Sequence, residues 1–266
     1  VALIKGIDVS SVQGRGFDWR LAAADGVRFA ICKAGGCNSA GAKYQDPTFV
    51  RNNAEARASG IAVGAYWFFS PAHSAAEQAD RFAAIIGTVD QLPPVIDFEV
   101  RHGAPVAQCI ERAEEFVERI ESVTGRPCIV YTYPSFWREL GVHSTPLASR
   151  PLWIAHYKVD PVSGLAYPLA KPSVPSPWNG RYYIWQTSGN RGPRIPGIPV
   201  DVDRNEAEES DIKALLTMRA GTSPRIESDA EAIQRLLNER GASLVVDGKV
   251  GPKTLAAMRA YLERVA

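Results

Sequence analysis

The sequence predicts an α/β fold, a β/α barrel of the TIM type followed by a small all-α module. Three observations carry this. Short apolar runs alternate with amphipathic helices, the pattern of parallel strands joined by crossover helices. About eight such runs fit into roughly 215 residues, the size of one barrel. Near Arg219-Ala220-Gly221-Thr222-Ser223-Pro224 the texture changes to a linker, and the remaining C-terminal stretch is short and helical. The expected organisation is a barrel domain over 1–218, a linker over 219–226 and a second domain over 227–266.

The elements run in chain order. Residues 4–8 read as a first strand ending in Asp8, and 17–26 as a helix with Asp18 as N-cap and Gly26 as its stop. A second strand covers 28–34, a helix closed by Gly60 covers 47–59, and a third strand covers 61–69. Ser74 and Glu77 form a capping-box pattern at the head of a helix over 74–89. The fourth strand lies within Pro93-Pro94-Val95-Ile96-Asp97-Phe98-Glu99-Val100. A long amphipathic helix over 105–124 stops at Gly125, and strand 128–132 and helix 134–140 come after it. Strands are expected at 152–157, 182–187 and 198–202, with a proline-rich, weakly periodic stretch over 158–181 and a closing helix at 208–218. In the tail, helices over 229–240 and 253–265 flank turns at Asp247-Gly248 and Gly251-Pro252.

Of 266 residues, 45% are hydrophobic and 22% charged, with a formal net charge of +1. No global field attracts nucleic acid, and no apolar run is long enough to span a membrane. The N-terminus lacks the layout of a signal peptide. Cys32, Cys37, Cys109 and Cys128 include no Cys-x-x-Cys pair, and His73, His102, His143 and His156 form no His-Glu-x-x-His. No metal site and no cofactor are expected. Most of the cysteines read as buried thiols, and a Cys32–Cys37 disulfide stays open.

Chemistry concentrates on the fourth strand. Side chains alternate faces along a strand, so Asp97 and Glu99 share one face while Phe98 takes the other. Two acids on a buried strand are costly unless paired or solvated at its end, where they become an acid/base or acid/stabiliser couple; a structural acid beside a solvated neighbour is the plainer reading. Barrel active sites collect at strand C-termini. The residues there are Asp8, Tyr66 and Trp67, Tyr131 and Tyr133, His156 and Tyr157, and Trp185 and Gln186, with Asp201 and Asp203 after the eighth run. Asp203 reads as a solvated or capping acid, and Trp and Tyr at strand ends are as compatible with core rim as with a sugar platform. Acids interleaved with aromatics suit sugar cleavage, in which rings pack on sugar C–H faces and carboxylates act on the glycosidic bond. Residues two apart on a strand lie only about 7 Å apart, so the separation test for retention or inversion gives no answer.

Gly6-Ile7-Asp8-Val9-Ser10, Val95-Ile96-Asp97-Phe98-Glu99, Tyr131-Thr132, Leu152-Trp153-Ile154-Ala155-His156-Tyr157, Trp185-Gln186 and Val200-Asp201-Val202-Asp203 occur in the order found in glycoside hydrolase family 25, the Chalaropsis-type N-acetylmuramidases. The resemblance covers about residues 1–215. It implies a flattened β/α barrel that cleaves the β-1,4 bond between N-acetylmuramic acid and N-acetylglucosamine. Glu99 would be the general acid, Asp97 the stabiliser of the transition state or orienter of the acetamido group, and Asp8 and Asp201 the remaining catalytic acids. Tyr66, Trp67, Tyr131, Trp153, His156, Tyr157, Trp185 and Gln186 would bind substrate. Many members carry His after the tyrosine of the third strand, where this chain has Trp67.

Ile233-Gln234-Arg235-Leu236-Leu237 with Val246-Asp247-Gly248-Lys249-Val250-Gly251-Pro252-Lys253-Thr254 resembles a three-helix peptidoglycan-binding domain. The expected partner is bacterial peptidoglycan, with no nucleic acid and no membrane, for a monomer. A phage lysin made in the host cytoplasm and acting on the wall is the expected setting, with a secreted autolysin as the alternative. Two other readings compete. A non-catalytic wall-binding protein has no need of Glu99, and a chitinase-like glycosidase would show Asp-x-x-Asp-x-Asp-x-Glu, whose upstream acids are missing here.

Overall fold

In the computed structural model, residues 2–14, 16–87, 92–158, 170–189, 194–220, 233, 234, 236–238, 240–245 and 250–265 are described. The chain divides into two compact units, Val1–Ser223 and Pro224–Ala266.

The first unit is built on a nine-stranded sheet. Its strands are β1 (Leu3–Val9), β2 (Val27–Cys37), β3 (Lys43–Gln45), β4 (Ala62–Phe68), β5 (Val95–Asp97), β6 (Ile129–Thr132), β7 (Leu152–Ala155), β8 (Ile184–Ser188) and β9 (Asp203–Glu208). All but β3 close into a barrel in the order β1-β9-β8-β7-β6-β5-β4-β2, with β2 returning to β1. The helices are α1 (Trp19–Ala24), α2 (Phe49–Ala58), α3 (Ala75–Ile86), α4 (Val106–Thr124), α5 (Pro134–Leu140) and α6 (Glu209–Thr217). Most local signals work as expected. Asp18 accepts from the Arg20 and Leu21 amides and Gly125 ends α4 in the left-handed region, while the Ser74 capping box is half formed: Ser74 accepts from Glu77 N, but the Glu77 carboxylate pairs with Lys43.

Alternation along the strands sorts the apolar residues into two layers. Phe29, Ile31, Val95, Ile129, Trp153 and Ile184 fill the barrel interior. Ile7, Ala30, Val63, Ile96, Val130 and Ile154 point outward and are covered by helices, with Phe82 of α3 stacked on Phe116 of α4. Gly6 leaves room for the Phe29 ring inside the barrel, and a methyl group there would overlap it.

Two features differ from the sequence expectation. Residues 35–37 extend β2, and Gly35, Gly36 and Cys37 pair antiparallel with β3 as a hairpin. The eighth barrel strand is not 198–202 but Asp203–Glu208, and it runs antiparallel to both β8 and β1. β9 therefore descends from the mouth end of the barrel, and Ile212, Leu215 and Met218 around α6 join the interior cluster at the opposite end. Antiparallel neighbours need no crossover helix, so strand–helix alternation could not find this strand's direction.

All four cysteines are free and buried. Among the described residues no helix is long and apolar enough to cross a membrane.

In the second unit, α7 (Pro252–Val265) is described along its length. Gln234 Nε2 donates to Thr254 Oγ1 at 3.2 Å, and Asn238 bonds both the N–H and the C=O of Leu244. The predicted turn at Asp247-Gly248 and part of the predicted helix over 229–240 lie outside the described residues.

Candidate active site

The upper end of the barrel gathers four acids, Asp8 from β1, Asp97 and Glu99 from β5 and the residues after it, and Asp203 from β9. Phe98 lies in the outer layer, so the alternation that places Asp97 and Glu99 on one face holds. The register sets Asp8 opposite Asp203.

Asp8 is 6% exposed and fully engaged. Its Oδ2 accepts from Gln186 Nε2 at 2.8 Å and from Asn205 Nδ2 at 2.9 Å. Both amides are themselves fixed, because Tyr131 Oη donates to Gln186 Oε1 at 2.9 Å and Trp153 Nε1 donates to Asn205 Oδ1 at 2.8 Å. Burial raises Asp8 to about 6 against the pull of these donors and of a bond from Asp203. Asp203 is pushed up to about 9 by burial first, then by the Asp8 charge. Asp203 thus holds a proton and donates it to Asp8.

Asp97 is equally buried, and its Oδ1, like Oδ1 of Asp203, has no partner among the described residues. Burial, then the Glu99 charge, lifts it well above the carboxylate range, with Lys33 opposing. Glu99 is half-buried and also raised, by burial first, with Lys33 again pulling down and Asp8 pushing up. Lys33 extends from β2 into the same end of the barrel, its Nζ 5.0 to 5.8 Å from the ring centroids of Phe68, Tyr66 and Tyr44. One cation between aromatic faces serves the Asp97–Glu99 pair.

Glu99 lines an open cavity of about 510 Å³ with Tyr133, Arg138, His156 and Tyr157 among its walls. His156 Nδ1 accepts from the Ser173 amide at 2.8 Å, so any ring proton is on Nε2. Burial, then the Arg138 charge, lowers its pKa. Burial first, and then the neighbouring site acids, raise the Tyr157 hydroxyl, which stays protonated. Tyr133 Oη reaches the Glu99 carbonyl at 3.4 Å. Among the described residues no group of three His, Cys, Asp or Glu side chains is arranged to hold a metal ion.

The structure separates the remaining sequence candidates. Tyr66 faces inward, half-buried beside Trp153. Trp67 is 0% exposed in the outer layer, donates to Gln78 Oε1 and packs on Phe82, so it cannot touch a substrate. Trp153 is 2% exposed and braces Asn205 rather than offering a sugar platform. Tyr131 and Gln186 are likewise buried supports of Asp8. Trp185 faces outward, donates to the His156 carbonyl at 2.7 Å and lies under Lys158 Nζ, away from the acids. Asp201 is held by Arg194 at 2.7 Å on an exposed rim and is not among the groups that shift the site acids. Lys33 and Asn205 carry no signal in the motifs, and Asp203 is a paired site acid rather than a solvated one. The alternation through Phe29, Ile31 and Lys33 was the available signal for the lysine.

Comparison with known proteins agrees with this geometry. The model of Glycosyl hydrolases family 25 matches residues 7–197, and a model described as a predicted peptidoglycan domain matches 229–265. The uncharacterized protein YegX of Escherichia coli K12 is 36% identical over 167 residues, 58% of this chain and 56% of that protein; the chain thus spans little more than half the length of that curated relative. An N,O-diacetylmuramidase of Chalaropsis sp is 30% identical over 200 residues, 70% of this chain and 88% of that one. The crystal structure of the bacterial lysozyme from Streptomyces coelicolor superposes with a TM-score of 0.67 at 32% identity, covering 82% of this chain and 98% of that one. With a family match across most of the barrel, and with buried acids at its mouth, this chain belongs to the glycosyl hydrolases family 25.

Proposed function

We propose that this protein is a peptidoglycan hydrolase that cleaves the β-1,4 bond between N-acetylmuramic acid and N-acetylglucosamine. The observation that carries the reading is the division of labour between two neighbouring acids. Glu99 is the acid that lines the open cavity, and Asp97 is buried nearby with one oxygen unpartnered. Like charges in a buried site cannot both ionise cheaply, so the pair retains a proton near neutrality. Glu99, at the cavity wall, delivers it to the glycosidic oxygen as the bond to the leaving sugar breaks. The oxocarbenium-like charge that grows on the ring is offset by Asp97, whose free oxygen suits the N–H of an acetamido group on the same sugar. Lys33 keeps the proton transferable by opposing the rise of both acids. Asp8 and Asp203 supply a fixed, hydrogen-bonded charge beside them. The names of the relatives, a muramidase and a lysozyme, support this substrate.

The second unit anchors the enzyme to the wall, raising the local concentration of its substrate. The test is mass spectrometry of fragments released from purified peptidoglycan. Wild type should yield muramic acid at the new reducing ends. Folded Glu99→Gln should lose roughly 10²- to 10⁴-fold in rate. A chain ended at Ser223 should keep the cleavage pattern but sediment less with the wall. Folded wild type that binds the wall and releases nothing would leave only a binding protein.

A further inference from the structure

The cavity at Glu99 continues past the acid. A second cavity of about 390 Å³ adjoins it and shares Pro134, Arg138 and Ser173 with it. Arg138, in the last turn of α5, stands where the two meet. Its neighbour Glu139 is paired with Arg101 at 3.6 Å, but the Arg138 guanidinium has no ion pair or side-chain hydrogen bond among the described residues. Among the described residues, the second cavity includes Trp137 and Val174 in its walls and His143 as its other ionisable group, and no acid lines it. An apolar hollow with an unpaired guanidinium at its entrance fits a short chain that carries a carboxylate.

On the muramidase reading, on which this inference rests, the substrate supplies such a chain. Its sugars are neutral, but each muramic acid bears a peptide branch with free carboxylates, and that branch leaves the strand next to the bond being cleaved. A bare-glycan enzyme needs a groove only; a branched substrate also needs a side chamber. We propose that Arg138 binds a carboxylate of the peptide branch and that the adjoining cavity receives the branch, making Arg138 a specificity determinant for peptide-substituted glycan.

The experiment compares soluble peptide-bearing strands with the same strands stripped by an amidase. Stripping leaves the lactyl carboxylate free, so the two substrates separate that group from the branch's own carboxylates. Arg138→Gln, with unchanged thermal midpoint, should raise KM roughly threefold to tenfold on peptide-bearing strands and leave kcat alone, the range for an exposed charge-assisted contact. Its KM on stripped strands should equal that of wild type, and Arg138→Lys should recover part of the loss. An equal KM rise on both substrates, or none on either, overturns the inference while the muramidase reading stands. Wild type that cleaves neither substrate removes that reading and this inference together.

Discussion

Two pairs of acids share the mouth of the barrel, and they are held in opposite ways. Asp8 sits in a closed network: two amides and the Asp203 proton converge on it, and each amide is locked by an aromatic donor behind it. Asp97 is as deeply buried but has an oxygen with no partner among the described residues, and Glu99 opens onto a cavity. A buried group left unsatisfied costs free energy unless something else completes it. Asp203 Oδ1 also lacks a partner among the described residues, so the contrast lies in Asp8, whose carboxylate is tied down by two fixed amides, against Asp97–Glu99, which opens onto a cavity. On the proposed reading, the fixed network around Asp8 holds a charge in place, and the open Asp97–Glu99 pair carries the proton transfer.

Substituting each pair should break the molecule in different places. Beyond the loss at Glu99, the largest effect is expected for Asp97→Asn. It should lower kcat by roughly 10²- to 10³-fold, the range for removing one preorganised electrostatic group, without lowering the thermal midpoint. Asp8→Ala should do the reverse in emphasis. It leaves the Gln186 and Asn205 amides without their acceptor and should cost about 1–3 kcal/mol of stability. Measuring near pH 3, below the unfolded Asp8 value of 3.8, keeps the cost of charging Asp8 out of the comparison. Equal destabilisation by both variants in denaturant unfolding would dissolve the distinction between the pairs.

The pH dependence sharpens the same contrast. Asp8 and Asp203 are raised from 3.8 to about 6 and about 9. A raised carboxyl binds its proton more tightly in the folded state, so its contribution to stability is full below the unfolded value and is lost as pH rises through the folded one. The thermal midpoint should therefore decline from about pH 4 to 9, through both groups below about pH 6 and, between about pH 6 and 9, because folded Asp203 keeps a proton that the unfolded chain has lost. Asp203→Asn keeps a donor to Asp8 but cannot titrate, and should flatten that decline. A wild-type profile that is level across this window would mean that Asp203 is already ionised.

How much of this was legible in the sequence depends on which physics each feature obeys. The pair on β5 was readable because alternation is local: an apolar strand with acids at alternate positions puts both on one face. The same rule, applied to consecutive residues, divides Tyr66 from Trp67 and Gln186 from Trp185, since only one of each pair can face the barrel interior. His156 and Tyr157 escape that division because both lie past the end of β7 and can line one cavity. The network around Asp8 was not readable. Gln186 and Asn205 reach it from 178 and 197 residues away, and the register that brings them there depends on a strand whose direction no helix spacing reports.

That reversed strand also decides between Asp201 and Asp203, the smallest effect expected. The rule that barrel chemistry sits at strand C-termini assumes that every strand rises toward the mouth. Because β9 descends, its first residues lie at the mouth, and Asp203, at the head of β9, faces Asp8. Asp201, two residues earlier, is still on the rim and spends its charge on Arg194. An exposed ion pair of this kind contributes at most about 1 kcal/mol, less in salt. Asp201→Ala should accordingly shift the thermal midpoint little and leave kcat within about twofold, while Asp203→Ala should not. Rates of fragment release for the two variants at matched folding decide the matter. A loss at Asp201 as large as that at Asp203 would place the rim acid in the reaction and make the order of residues along the sequence, rather than the direction of β9, the better guide to this site.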